Sequence, residues 1–278
     1  MQQVGEGFVL EKHGPLTFYT IPSFTISNLV VHGFTTRFGG SSDGNYGALN
    51  LGLHVGDDPA KVIENRQRVC QALGIDFNNL VAGNQVHGNE VLVVTEEHLG
   101  RGRDSIEQAL PNVDALITNQ VGIPLSSYYA DCVPLFFLDP INKVIGLAHA
   151  GWQGTVTAIG AKTVAKMNSV YGSKPEDILA GIGPAIGCCC YVVDQHVIHR
   201  LKSTFDYWEK VVKPCGDDHW MLDLWETNRR ILLDAGLKAE NITLAGVCTS
   251  CNSDFLFSHR ASGGCTGRMA SLIMLKQG

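Results

Sequence analysis

Two short apolar runs, Val133 to Leu138 and Val144 to Ala148, flank the turn Asp139-Pro140-Ile141-Asn142. Apolar runs of this length bounded by turn residues are the pattern of buried strands, so the stretch predicts a hairpin or an adjacent strand pair. Further strands are predicted on both sides of Pro22 across 16–36, at 79–86, 90–95, Asp114–Thr118 and Leu125–Ala130, and near 219–223, 241–247 and 268–275. Helical spacing is clearest after Asp57-Asp58. There an aspartate caps the helix, Pro59 occupies its first turn, Gly74 closes it, and Val62, Ile63, Val69, Cys70 and Leu73 form the buried stripe. The same spacing predicts helices over Thr155–Tyr171, 194–204 and 223–235. Residues 96–112 form a charged, glycine-bearing loop of the kind that can act as a mobile flap over a site. Ile178–Gly187 is rich in glycine, but Pro184 and the spacing do not match a dinucleotide fingerprint; it reads as a tight turn beside a pocket. Strands and helices interleave irregularly, without repeat or linker. The expectation is one α+β domain over residues 1–278, with a mixed β-sheet flanked by helices.

Charge and composition narrow the function. The formal net charge is −6 and no block of like charges exists, so there is no basic stripe to neutralise phosphates and no nucleic-acid partner is expected. No apolar stretch approaches the roughly 20 residues of a membrane span. The N-terminus lacks a basic start followed by an apolar run, and a cytoplasmic location is expected. In a reducing compartment nine cysteines point to buried thiols, metal ligands or catalytic groups rather than disulfides.

Candidate chemistry gathers at strand ends. Cys132 immediately precedes the first central run and His149 immediately follows the second, so antiparallel pairing would place both at one rim of the sheet. His87 follows another short strand. Two imidazoles and a thiolate leave a tetrahedral metal with an open fourth position, as catalytic zinc sites require. A Cys132–His149 pair with Asp131 nearby equally suits nucleophilic thiol chemistry, and the spacing does not separate the two. Cys248-x-x-Cys251 reads as a buried thiol pair near a turn; a redox dithiol or half a zinc knuckle, with partners among Cys188 to Cys190, are the other readings. Arg37 with the loop Gly39-Gly40-Ser41-Ser42 could hold an anion, as could Arg66, whose alternative is a solvated side chain.

The chain resembles the YfiH/YlmD family, labelled laccase-domain or polyphenol oxidase proteins and related to the vertebrate enzyme FAMIN. The resemblance rests on His32-Gly-Phe-Thr-Thr-Arg-Phe-Gly-Gly40, Leu49-Asn-Leu-Gly-Leu-His-Val-Gly-Asp57, Asn65-Arg66, Gln85-Val-His-Gly88, Ala130-Asp-Cys-Val-Pro134, Ala148-His-Ala-Gly-Trp152, Gly183-Pro-Ala-Ile-Gly187 and Thr266-Gly-Arg-Met269. It covers nearly the whole length and is nearest the YlmD branch. It implies a single-domain fold layered α/β/α and a zinc site on His87, Cys132 and His149, with copper as the other ion. It also implies phosphorolysis of adenosine, inosine and methylthioadenosine, and hydrolytic deamination of adenosine, with Arg37, Arg66 and Gln85 as substrate-binding candidates. Purine nucleosides and inorganic phosphate would be the partners. The family commonly carries arginine after His-Ala-Gly-Trp, where this chain has Gln153. Rival functions are a copper-dependent polyphenol oxidase and a cysteine-dependent amidase editing peptidoglycan precursors. The ten scattered histidines do not supply the clustered ligands a multi-copper oxidase needs.

Overall fold

Val133–Asp139 and Val144–Ala150 pair antiparallel, and every residue of both strands is buried. Strands that are apolar on both faces need a layer on each side, and the rest of the chain supplies them. A computed structural model describes residues 7–277. In chain order the elements begin with β1 (Val9–His13), β2 (Leu16–Thr20), α1 (Pro22–Ser27), β3 (Val30–Thr35), α2 (Pro59–Leu73), β4 (Val81–Ala82) and β5 (Val91–Val93). There follow β6 (Ala115–Thr118), β7 (Leu125–Tyr129), β8 (Val133–Asp139), β9 (Val144–Ala150), α3 (Trp152–Val156), α4 (Ile159–Tyr171) and β10 (Leu179–Ile182). The last are β11 (Val192–Asp194), α5 (Gln195–Thr204), β12 (Val212–Gly216), β13 (His219–Leu222), α6 (Leu224–Asp234), β14 (Ile242–Leu244) and β15 (Met269–Leu275).

Two mixed six-stranded sheets form, ordered β1-β2-β3-β15-β7-β4 and β14-β10-β8-β9-β6-β5, with a small three-stranded sheet β11-β13-β12 beside them. Side-chain alternation along β8 decides the layering. Phe136 faces the first sheet, packing with Phe34, Tyr129 and Ile273, while Leu135 and Phe137 face α4 and α6 through Val164, Met167 and Leu232. Each fully buried phenylalanine contributes about 2–3 kcal/mol of transfer free energy. The outer face of the first sheet, carrying Phe18, Tyr128 and Leu272, is covered by Val69 and Cys70 of α2.

The single α+β domain is therefore as expected, but two stacked sheets stand where the sequence suggested one, giving helix–sheet–sheet–helix layers. Pro22 does not merely separate two strands; it starts a short helix that ends at Asn28 in the left-handed conformation (φ 56°). The helix expected over Thr155–Tyr171 is broken into α3 and α4 by Ala158, also left-handed at φ 56°. Helix α2 has the foreseen caps: Asp58 accepts from the Ala60 N–H, and Gly74 (φ 67°) donates to the Cys70 carbonyl. Strands β1 and β12 lack a buried apolar pattern because their residues are largely exposed, and β11 is only three residues long, too short to show a period. The 96–112 loop is not a flap: it packs against β4, with the Ala82 N–H donating to the Arg101 carbonyl and the Leu110 N–H to the Ala82 carbonyl. Among the described residues no helix is long and apolar enough to cross a membrane. Residues 1–6, on which the expectation of no leader partly rests, lie outside the described residues.

Candidate metal centre and cavity

Strand register builds the centre. Pairing of β8 with β9 sets Val133 against Ala150, so Cys132 arrives opposite Gly151, two residues beyond His149. Pairing of β6 with β9 sets Ala115 against Ala148, which brings Asp114 opposite His149. The Asp114 carboxylate then organises both histidines. It lies 2.8 Å from His149 Nδ1 and accepts the backbone N–H groups of Val86, His87 and Gly88 at 3.1, 3.0 and 2.8 Å. Those three donors pin the 83–90 turn with His87 at φ 61°, and the two imidazole rings meet edge-on, 4.8 Å apart.

One nitrogen of His87, one of His149 and the Cys132 sulfur all lie within 4.8 Å of one another. Gly151 makes the convergence possible, since a β-carbon there would stand 3.0 Å from both Cys132 Sγ and His87 Cδ2. His149 is buried, Cys132 half-buried and His87 exposed, so the group opens outward. Burial alone would raise the Cys132 thiol, but the neighbouring His149 and His87 imidazoles outweigh it and bring it down to about 6. Burial would likewise lower His149, yet the thiolate and Asp114 outweigh it and raise the imidazole. Asp114 is held below the usual carboxylate range against its own burial by His149 and the backbone donors.

The donor set fits a metal ion: two imidazoles and a ready thiolate, with the second nitrogen of His149 on a carboxylate, as in metal-bound histidines generally. It also fits a thiolate–imidazolium pair.

The trio forms the floor of a cavity of about 420 Å³, within the range of small-molecule sites. Its walls include His54, Tyr128, Asp131, Ile186, Tyr191, His259, Arg260 and Arg268. Gln85 also lines it, but its amide is spent on the Tyr128 backbone, donating to the carbonyl and accepting from the N–H at 2.9 Å each. Gln85 holds the wall more than it faces a ligand.

The structure does not bring Arg37 or Arg66 to the cavity. Arg37 donates to the carbonyls of Gly47 and Ser253 and lies 4.7 Å over the Phe257 ring. Arg66 is neither solvated nor free for an anion. It is 3% exposed, donates to the carbonyls of Leu51, Gly102 and Arg103, and lies 4.0 Å over the Tyr128 ring. Gln153 is exposed on α3, away from the wall.

The cations that do reach the cavity are Arg260 and Arg268, which sequence reasoning passed over. Arg268 uses Nη1 on the carbonyls of Thr266 and Gly267, and its Nε and Nη2 have no hydrogen bond among the described residues. Burial and the neighbouring Arg268 and Arg66 charges lower the His54 imidazole to about 4, so it is neutral at pH 7. The only signal for His54 and Arg268 was their place in Leu49–Asp57 and Thr266–Met269, two of the stretches that carry the family resemblance.

Residues 31–276 match the family described as "Multi-copper polyphenol oxidoreductase laccase". The purine nucleoside phosphorylase YlmD of Bacillus subtilis (strain 168) is 40% identical over 248 residues, 89% of each chain. An adenosine deaminase from an unknown prokaryotic organism is 35% identical over 245 residues, covering 87% of this chain and 92% of that one. The crystal structure of YlmD from Geobacillus stearothermophilus superposes with a TM-score of 0.92 at 36% identity, covering 97% of this chain and all of the other.

Proposed function

The chain belongs to the multi-copper polyphenol oxidoreductase laccase family, together with the YlmD proteins, and on that premise we propose that it is a purine nucleoside phosphorylase. Adenosine, inosine and methylthioadenosine are its proposed substrates with inorganic phosphate, and zinc-dependent deamination of adenosine its second reaction, in the cytoplasm. The observation that carries the reading is the convergence of His87, Cys132 and His149 in a nucleoside-sized cavity that two arginines also line.

In phosphorolysis a phosphate oxygen bonds to C1′ of the ribose as the bond from C1′ to the purine nitrogen breaks. The electron pair leaves with the base, which needs a proton or hydrogen bond at N7. The free Nε and Nη2 of Arg268 offer charge-assisted donors for the phosphate, and Arg260, whose Nη1 and Nη2 hold the carbonyls of Cys190 and Val192, adds positive charge to the same cavity. The Tyr191 phenol, pushed up by burial, stays a proton donor at neutral pH for the base or sugar. His87, Cys132 and His149 would hold zinc, which when bound acts as a Lewis acid and lowers the pKa of a water to about 7. Asp114 fixes His149 with Nδ1 turned inward and Nε2 toward the ligand side.

Two other readings start from the same residues. The lowered Cys132 thiol favours a cysteine amidase, for which metal would be an inhibitor rather than a requirement. A polyphenol oxidase of the multi-copper type needs several histidine-rich centres. Among the described residues one histidine-containing group assembles, and the second cluster is all cysteine.

The deciding experiment incubates the purified chain with adenosine with and without phosphate, before and after chelation. Expected are phosphate-dependent adenine and ribose 1-phosphate, a smaller yield of inosine, and loss of both after chelation and in Cys132→Ser, which keeps its fold. Full turnover in chelated enzyme would overturn the metal requirement, and no turnover of adenosine by metal-loaded enzyme would overturn the phosphorylase reading and leave the amidase.

A further inference from the structure

Four further thiols converge on the far side of one cavity wall. The turn after β10 carries Cys189 and Cys190, and the turn after β14 carries Cys248 and Cys251. Their sulfurs all lie within 4.8 Å of one another, with Cys251 Sγ 3.4 Å from both Cys189 Sγ and Cys190 Sγ. The C-x-x-C pair is thus not a pair of buried thiols: Cys248 is buried, while Cys251 is exposed among partners 61 and 62 residues away.

Metal coordination accounts for this spacing. A tetrahedron of sulfurs about 2.3 Å from zinc has edges of about 3.8 Å, which falls between the closest approach and the outer limit of the four. A disulfide would need about 2.05 Å and would use only two of them. The backbone treats Cys248 as a thiolate, since the N–H groups of Gly187 and Cys251 point at its sulfur at 3.2 and 3.5 Å. Hydrogen bonds of this kind orient and stabilise ligating sulfurs. The neighbouring Cys188 is outside the group and serves as an internal control.

We propose that Cys189, Cys190, Cys248 and Cys251 form a second, structural metal site, a closed tetrathiolate centre for zinc. On binding, the four thiols release their protons to solvent and four sulfur–zinc bonds form, with no change of oxidation state. Four soft sulfur donors select zinc over hard cations and leave no open position for a substrate. The site staples two turns that also meet through the Ala185–Cys248 bridge and the Thr249 N–H on the Ala185 carbonyl. Those turns present Ile186 and Tyr191 to the cavity, and Arg260 donates to the Cys190 carbonyl at 3.2 Å. The clamp therefore shapes the cavity wall without touching what binds there.

The test measures zinc in Cys132→Ser protein as purified, where the trio is disabled. Expected is about one zinc per chain retained, bound through metal–thiolate bonds strong enough to survive gel filtration. Adding Cys251→Ser should abolish it, and adding Cys188→Ser should not. Cobalt reconstitution of Cys132→Ser should give the thiolate-to-metal charge transfer and intense visible bands of a tetrahedral sulfur site. Should the Cys251→Ser double variant fail to fold, titration of Cys132→Ser with a mercurial should release its zinc as four thiols react. Metal-free Cys132→Ser, retention of zinc after Cys251→Ser, or a mass deficit of two hydrogens marking a disulfide would each overturn the proposal. The outcome does not depend on which reaction the cavity performs.

Discussion

Asp114 grips His149 twice. Its carbonyl accepts the His149 backbone N–H at 2.8 Å, and its carboxylate meets His149 Nδ1 at 2.8 Å. The ring is thereby fixed in position and in tautomer, with Nε2 left for the centre. Asp114→Asn keeps the size of the side chain but removes the charge and the three-way acceptor that also holds the His87 turn. Metal affinity is expected to fall by about 10–100-fold, the usual cost of losing such a partner. Competition with a chromophoric chelator measures it, and affinity equal to the parent would show that Asp114 only stabilises the fold.

Gly151→Ala tests the packing of the centre. The backbone of Gly151, at φ −63°, accepts alanine without strain. The new methyl would nevertheless stand 3.0 Å from both Cys132 Sγ and His87 Cδ2. Displacing either group by a fraction of an ångström should lower kcat/KM for adenosine phosphorolysis at least about tenfold. Circular dichroism and the melting temperature should change little. Unaltered turnover would mean that these two side chains need not converge.

Arg268, and not Arg66, is expected to serve the phosphate. Arg66→Ala leaves the carbonyls of Leu51, Gly102 and Arg103 without their donor and removes a cation from the Tyr128 ring. A loss of about 3 kcal/mol in unfolding free energy follows from the buried unsatisfied acceptors. The phosphate KM of the folded fraction should be unchanged. Arg268→Ala should raise the phosphate KM about tenfold or more through loss of a charge-assisted donor, with a smaller loss of stability than Arg66→Ala because it releases only the Thr266 and Gly267 carbonyls of its own turn. Steady-state kinetics at varied phosphate, paired with urea denaturation, separates the two. A raised phosphate KM in Arg66→Ala would restore Arg66 to the anion site.

The contrast between these residues shows where sequence stops being informative. Cys132 and His149 were legible because a hairpin's register follows from its turn, and the turn was plain at Asp139–Asn142. Asp114 was not, because its partnership with His149 depends on β6 pairing antiparallel to β9 across 35 residues, which no local pattern encodes. Arg66 misled because a charged residue on a helix reads as solvated, whereas here a loop 36 residues away supplies carbonyls for burial. The four-thiol cluster needs the β10–β14 pairing to bring its halves together, and the second sheet is hidden because β7 and β15 return to the first sheet from among the strands of the second, a long-range pairing that no local pattern encodes.

His32 supplies a pH dependence that is independent of the centre. It is 6% exposed, and the Ile21 backbone N–H donates to its Nε2 at 2.7 Å, which requires that nitrogen to be unprotonated. Burial, with Lys276 acting in the same direction, lowers its pKa to about 4 from the model-compound value of 6.5. The unfolded chain therefore binds a proton that the folded chain refuses. The contribution of neutral His32 is fully present above pH 6.5 and is lost as pH falls from 6.5 toward 4, by about 3 kcal/mol in all at 1.36 kcal/mol per pH unit. In His32→Gln the amide oxygen can still accept the Ile21 N–H but does not titrate. Urea denaturation between pH 7 and 4 should show the parent losing stability more steeply than His32→Gln, by up to one proton's worth of slope. Parallel curves would mean that His32 becomes protonated in the folded chain as readily as in the unfolded one.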